Sequence, residues 1–173
     1  GEIEFGLGYT EPEAGSDLAN MKMTAIDQGD YYLVNGQKTF NTESHYADYH
    51  WLAAKTDLKA SPYKGISLFI VDQHGPGITI RPMITMSGER TNEVFYDDVK
   101  VPKNRLVGEV NKGFYYMMEA LMSERNYVFT PSRYYPYLNM LLDYAKQTTY
   151  LGKPLAEDPM VRQKIAQIAV EIE

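Results

Sequence analysis

The feature that most constrains this chain is a change of period. Up to residue 108 its apolar residues come in short runs, each cut off by glycine, proline, asparagine or aspartate. From Asn111 onward they recur at helical spacing: Phe114, Met117, Met118 and Leu121, then Tyr127 and Val128. Short runs with no helical pattern between them favour an antiparallel barrel or sandwich over a parallel α/β sheet. The plan is therefore a β domain, residues 1–108, followed by the beginning of an α-helical domain, residues 109–173.

The β runs can be placed individually. Met21–Ile26 leads into the polar turn Asp27-Gln28-Gly29-Asp30, and Tyr31–Val34 follows. Asn35-Gly36 then separates Tyr31–Val34 from Gln37–Thr42, which predicts a hairpin, because both central turn positions need positive φ. Trp51–Thr56 and Ile66–Val71 are further strands, separated by the loop 59–65. Gly75-Pro76-Gly77 breaks the chain before Ile78–Met83, and Glu93–Pro102 is the last strand. In the helical part, Pro131 and Pro136 predict a kink or a broken helix. Leu138–Tyr144 resumes the helix, and Gly152-Lys153-Pro154 is read as its stop. Pro159 sits in the first turn of a final helix, with Glu157 and Asp158 favouring its N-terminus.

Composition removes several functions. Seventeen basic against 23 acidic residues give a net charge of −6, and no basic run stands out. A phosphate-neutralising nucleic-acid surface is not supported. With no cysteine there is no disulfide framework and no thiolate metal site. His45, His50 and His74 lack zinc-ligand spacing and read as loop or surface histidines. No apolar run approaches the ~18 residues of a membrane helix. The chain opens on Gly1 and ends inside a helical pattern, Ile165–Glu173, which reads as a fragment of a longer protein.

One loop carries more chemistry than its neighbours: Gly8-Tyr9-Thr10-Glu11-Pro12-Glu13-Ala14-Gly15-Ser16-Asp17. Pro12 stiffens it, Gly15 permits close approach, and Asp17 can close an Asx-type turn. Thr10 and Ser16 place hydroxyls on either side of the bend. The loop reads as a rigid presenter of hydroxyls and backbone N–H groups to a ligand, or else as a solvated turn between strands. There is no G-x-G-x-x-G, so a Rossmann dinucleotide site is not supported.

Several segments together resemble one family. Thr10–Asp17 looks like the flavin-binding signature of the acyl-CoA dehydrogenase family. Asn35-Gly36-Gln37-Lys38-Thr39-Phe40-Asn41-Thr42 resembles that family's next block, and Ala54-Lys55-Thr56-Asp57 the strand end after it. Asn92–Pro102 is similar to the last strand of its middle domain, and Gly152–Pro159 to a segment common in bacterial members. The matches keep family order and spacing and cover almost the whole chain. The resemblance implies an α+β subunit of three domains, of which this chain holds the middle β-barrel or sandwich and the first helices of the C-terminal bundle. It implies bound FAD, α,β-dehydrogenation of an acyl-CoA substrate and electron transfer to an electron-transfer flavoprotein. A homo-oligomer, dimer or tetramer, is implied as well, in a bacterial cytoplasm or a mitochondrial matrix.

Carried over by motif, Thr10 would hydrogen-bond the flavin ring, with Tyr9 at the neighbouring backbone contact. Ser16 would meet the FAD pyrophosphate and the acyl-CoA, where a hydroxyl with nearby backbone donors suits phosphate oxygens. Phe40 holds the position where the family usually has an aromatic beside the isoalloxazine, and Thr42 would bond near flavin N5. On an alternating strand Phe40 and Thr42 share a face. Read from the strand alone they are a core aromatic and a β-branched strand residue.

Glu124 is the internal candidate for the base that removes the α-proton. It interrupts the helical stripe of Met117, Leu121 and Val128, and a desolvated carboxylate suits the task. In one branch of the family the base resembles this Glu-Arg pair; in the larger branch it lies on a later loop beyond this sequence. Arg125 matches an arginine near the CoA end of the site; read plainly, Glu124 and Arg125 form a surface ion pair or line a helix seam.

Met122 departs from the family, standing where several members carry an acid. So do Pro131 and Pro136, and Thr149 and Tyr150, which replace an arginine that reaches a neighbouring subunit's FAD. Two further readings stay open: a non-catalytic subunit of the same fold in a hetero-oligomer, and a flavin-dependent oxidase that uses O₂.

Overall fold

The computed structural model describes residues 2–128 and 131–172, without the side chains of 126–128 and 132. Tyr127 and Val128, the end of the helical stripe, therefore have side chains outside the described residues. The chain divides into two compact units, one running to Leu121 and the other starting at Met122.

The first unit is a mixed sheet with a helix on it. Its strands are β1 (Phe5–Gly8), β2 (Thr24–Asp27), β3 (Tyr31–Lys38), β4 (Tyr49–Lys55), β5 (Ile66–Asp72), β6 (Ile78–Ile84), β7 (Arg90–Pro102) and β8 (Leu106–Val107). They are ordered β6-β7-β3-β2-β4-β5-β8, with β1 added on β4. The sheet is open, ending at β6 and β8, and is not a closed barrel. Most pairs are antiparallel, but β1 runs parallel to β4, matching Leu7 to Trp51. The fold class is the expected α+β, strands first and helices after.

The runs at β4, β5, β6 and β7 fall where the alternation places them. The Asn35-Gly36 hairpin does not form. The chain runs straight through as β3, which pairs with β2 on one side and β7 on the other. Asn35 and Gly36 mark a bulge in the β7 register instead. Gly36 has φ +143, and a Cβ there would stand 2.9 Å from the Met23 Cα. The glycine is required by close strand approach rather than by a turn. The actual hairpin is β2–β3, turned at Asp27–Asp30, with Asp27 Oδ1 accepting the Gly29 N–H at 2.8 Å.

Each face of the sheet has its own core. One gathers Tyr32, Val34, Leu52, Phe69, Val94 and Val101 with their neighbours. Burying side chains of this size contributes roughly 1.5–3 kcal/mol each. The other joins Tyr9, Met21, Ala53, Leu68 and Met117. Met117 belongs to α1 (Gly113–Val128), whose first turns pack on this face also through Phe114, Met118 and Leu121. Asn111, at φ +66, starts that helix by donating its N–H to Ser67 Oγ at 2.8 Å. Thr56 Oγ1 donates to Asn111 Oδ1 at 2.6 Å.

In the second unit, Pro131–Arg133 forms a 3₁₀ turn and α2 spans Tyr135–Gln147. Pro136 lies in the first turn of α2, where its missing N–H costs nothing. The helix is therefore broken here, one of the two outcomes expected, and Pro136 begins the next helix. Gly152-Lys153-Pro154 is not the helix stop either: α2 ends at Gln147, and β9 (Thr149–Tyr150) pairs with β10 (Lys153–Pro154) across a Leu151-Gly152 turn. Leu151 and Gly152 both have positive φ, as a two-residue hairpin demands. α3 spans Pro159–Ile172, and Asp158 Oδ1 accepts the N–H groups of Met160 and Val161 at its start. Among the described residues no helix is long and apolar enough to cross a membrane, and no group of three or more acidic or histidine side chains is placed to hold a metal ion.

Candidate functional site

Two loops that the sequence singled out meet at the end of β3. The Thr39 N–H donates to the Thr10 carbonyl at 2.9 Å, tying the Tyr9–Ala14 loop to the segment that carries Phe40 and Thr42. The Asn41 side-chain amide donates to the Leu7 carbonyl, which brings the same segment against β1. Around Pro12 the chain closes on itself: Glu11 and Ala14 exchange two backbone hydrogen bonds, each 3.1 Å.

Phe40 and Thr42 are not strand residues. β3 stops at Lys38, and Phe40 adopts φ +58, which a bulky side chain rarely accepts. The segment is held there from both sides. The Asn41 N–H donates to the Asn92 carbonyl at 3.0 Å. The buried Asn92 amide donates to the carbonyls of Asn41 (2.7 Å) and Thr42 (3.2 Å). Phe40 is consequently not a core aromatic: 63% of it is exposed. Holding a phenylalanine outward in left-handed backbone costs on the order of 1–3 kcal/mol, and such strain concentrates at ligand sites.

Thr10 is half-buried, and Ser16 and Thr42 are exposed. Tyr9 is buried in the face that carries α1, so only its backbone faces the loop's surroundings. A Cβ at Gly15 would meet nothing within 4 Å, so the space this glycine leaves open is not filled by its own chain. Asp17 closes no Asx turn; its carboxylate takes the Asn20 side-chain amide. Glu124 and Arg125 lie in the second unit, both exposed on α1. The stripe that Glu124 interrupts is buried at Met117 and half-buried at Leu121.

Three buried polar groups beside these loops escaped the sequence reading. Lys38, fully buried, donates to the Tyr9 carbonyl at 3.0 Å and to Glu11 Oε1 at 2.8 Å. Glu11 also accepts the N–H groups of Lys22 and Met23. Burial pulls the Lys38 ammonium down to about 8, with Glu11 opposing that shift. A signal existed: Lys38 has the same parity along β3 as the inward-facing Tyr32 and Val34. His50, expected at the surface, is the third. It is buried between Ser44 and Tyr96, with Nε2 3.0 Å from Ser44 Oγ and Nδ1 bonded to the Tyr96 hydroxyl. Burial holds it neutral, down to about 3, and the nearby Lys38 charge adds to this. His45 lies 3.2 Å from the Asn92 amide, and His74 is exposed.

A planar ring flanked by polar atoms needs an exposed apolar patch with hydroxyls at its margin. Phe40 and Leu7 supply exposed apolar surface on segments joined by the Asn41–Leu7 bond, Thr10 and Thr42 supply hydroxyls on the segments joined at Thr39, and Ser16 is exposed farther along the Thr10 loop. Beside Leu7, the buried indole N–H of Trp51 has no acceptor among the described residues. These residues fit a flavin.

Comparison with known proteins gives the same family twice. The pattern described as "Acyl-CoA dehydrogenase, middle domain" matches residues 6–99. "Acyl-CoA dehydrogenase, C-terminal domain" matches residues 111–173. Acyl-CoA dehydrogenase FadE29 of Mycobacterium tuberculosis is 50% identical over 126 residues, which are 72% of this chain and 33% of that protein. Caffeyl-CoA reductase-Etf complex subunit CarC of Acetobacterium woodii is 38% identical over 178 residues, covering 100% of this chain and 47% of CarC. The solved structure of the Tcur3481-Tcur3483 steroid ACAD superposes with a TM-score of 0.73 at 32% identity, over 99% of this chain and 44% of that one. The chain thus spans less than half the length of these relatives.

Proposed function

The chain belongs to the acyl-CoA dehydrogenase family, and on that premise we propose that the whole protein binds FAD and dehydrogenates an acyl-CoA thioester between its α and β carbons. In this reading residues 1–108 are the middle domain and 109–173 begin the C-terminal helical domain. The observation that carries the flavin site is the Thr39–Thr10 hydrogen bond, which sets Thr10 beside Phe40 and Thr42.

Bound FAD would supply the acceptor for the hydride that leaves the β-carbon. The chain's own residues do the holding and the proton chemistry. Phe40 offers its ring as an apolar wall. Thr10 and Thr42 hydroxyls orient the polar edge of the ring system, with the Tyr9 backbone alongside. Ser16 meets the pyrophosphate and the acyl-CoA. Glu124 accepts the α-proton, and Arg125 faces the CoA end. Electrons then leave to an electron-transfer flavoprotein, a partner class supported by CarC, whose name places it in a complex with Etf. The assembly is a homo-oligomer, dimer or tetramer.

The full-length protein should purify yellow and bleach when acyl-CoA is added without oxygen. A folded protein that stays colourless after incubation with FAD would overturn the reading. Rapid aerobic turnover with peroxide would assign it to the oxidases instead.

A further inference from the structure

The most deeply buried charge in the first unit is not among the residues assigned to the flavin. Lys38 is 0% exposed and its partner Glu11 6%. A buried ion pair seldom adds net stability over an apolar pair of the same volume, because two charges lose their water. Its presence at this point of the chain calls for another purpose, and the geometry suggests one.

The pair joins three chain segments at a single spot. Lys38 ends β3 and leads directly into Thr39 and Phe40. Its ammonium holds the Tyr9 carbonyl at 3.0 Å and Glu11 Oε1 at 2.8 Å, with Met21 Sδ at 3.9 Å. Glu11 in turn accepts the backbone N–H groups of Lys22 and Met23 just before β2. Tyr9 and Ala14 anchor the two ends of the loop in the core on the α1 face, and the polar stretch between them is tied to β3 by these bonds and by the Thr39–Thr10 backbone bond.

We propose that the Lys38–Glu11 pair is the positioning element of the flavin loop: it locks the backbone at Tyr9 and Thr10 against the Thr39–Thr42 segment and so sets the affinity for FAD. This rests on the flavin reading above. Neither residue touches the cofactor in this scheme; both act through Tyr9 and Thr10. The long reach of lysine matters, since its stem crosses the buried layer while its three protons are shared among a carbonyl, a carboxylate and a thioether.

The test uses the full-length protein with Lys38→Met, which keeps the stem, and Glu11→Gln, which keeps the shape. Amide hydrogen exchange of residues 9–14 is followed in the apoprotein, and FAD affinity and the visible flavin spectrum in the holoprotein. For both variants we expect at least tenfold faster exchange in 9–14, unchanged exchange in β5, a dissociation constant for FAD raised about tenfold or more, and a shifted flavin band. A folded variant with native exchange in 9–14 and native FAD affinity overturns the proposal. If Lys38→Met does not fold, Glu11→Gln decides; if neither folds, the pair is a purely structural element and the proposal fails. If the wild type takes up no FAD, the flavin reading fails, while the exchange data still report whether the pair locks the loop.

Discussion

The rings of His50 and Tyr96 lie within 12° of coplanar with centroids 6.1 Å apart, joined edge to edge by a hydrogen bond between the Tyr96 hydroxyl and His50 Nδ1. With Ser44 on Nε2, the imidazole is enclosed in polar partners and cut off from water. Burial also holds the Tyr96 hydroxyl well above its ordinary range, so both rings stay neutral at pH 7.

The histidine makes stability depend on acid. Its folded value is about 3, against about 6.5 in an unfolded chain. Between those values the unfolded state binds the extra proton. The contribution is therefore fully present above about pH 6.5 and is lost progressively as pH falls towards 3. We predict a loss on the order of a few kcal/mol across that window. Urea midpoints measured at several pH values should show it, and His50→Asn should flatten the slope. An equally steep slope in that variant would place the acid sensitivity elsewhere.

Gly8 lies against this histidine with no room for a side chain. A Cβ at Gly8 would come within 2.9 Å of the His50 ring and of Leu52 Cδ1. Gly8→Ala should destabilise the protein by about 1–3 kcal/mol through overpacking. Gly15→Ala, whose Cβ meets nothing within 4 Å, should leave the melting temperature nearly unchanged. Equal melting temperatures for the two variants would contradict this packing.

Asp158 caps α3 by accepting two backbone N–H groups, at 2.8 and 3.2 Å. Asp158→Ala should cost about 1 kcal/mol. Thermal unfolding reads the loss, and amide exchange should place it in the first turn of α3. Asp158→Asn should recover most of it, since an amide oxygen accepts the same bonds.

Glu124→Gln in the full-length enzyme should lower dehydrogenation by about 10²–10⁴-fold, the usual worth of a general base, while FAD stays bound. Turnover close to wild type would show that the base is a residue other than Glu124.

Much of the architecture was readable because it is local. The alternation in β7 indicates which residues face inward, the apolar run Ile66–Val71 marks β5, and Pro159 and Asp158 mark the start of α3 without help from the rest of the chain. The Thr10–Asp17 loop and the Phe40–Thr42 segment were likewise recognisable as motifs. What the sequence could not state is which segment lies against which. Asn35-Gly36 carries the chemistry of a hairpin, but pairing with β2 and β7 on both sides keeps the strand running and sets the glycine beside a bulge in β7, where Asp97 and Asp98 oppose Asn35 alone. Phe40 looks like a strand aromatic, but Asn92, 51 residues away from Asn41, holds the segment out of the sheet. Lys38 and Glu11, 27 positions apart, look like solvated charges until the fold brings them together and buries both. Side-chain periodicity is set by neighbours along the chain, and the sequence by itself determined that much. Burial and pairing are set by neighbours across it, so the outward Phe40, the neutral His50 and the buried Lys38 were decided by tertiary structure alone.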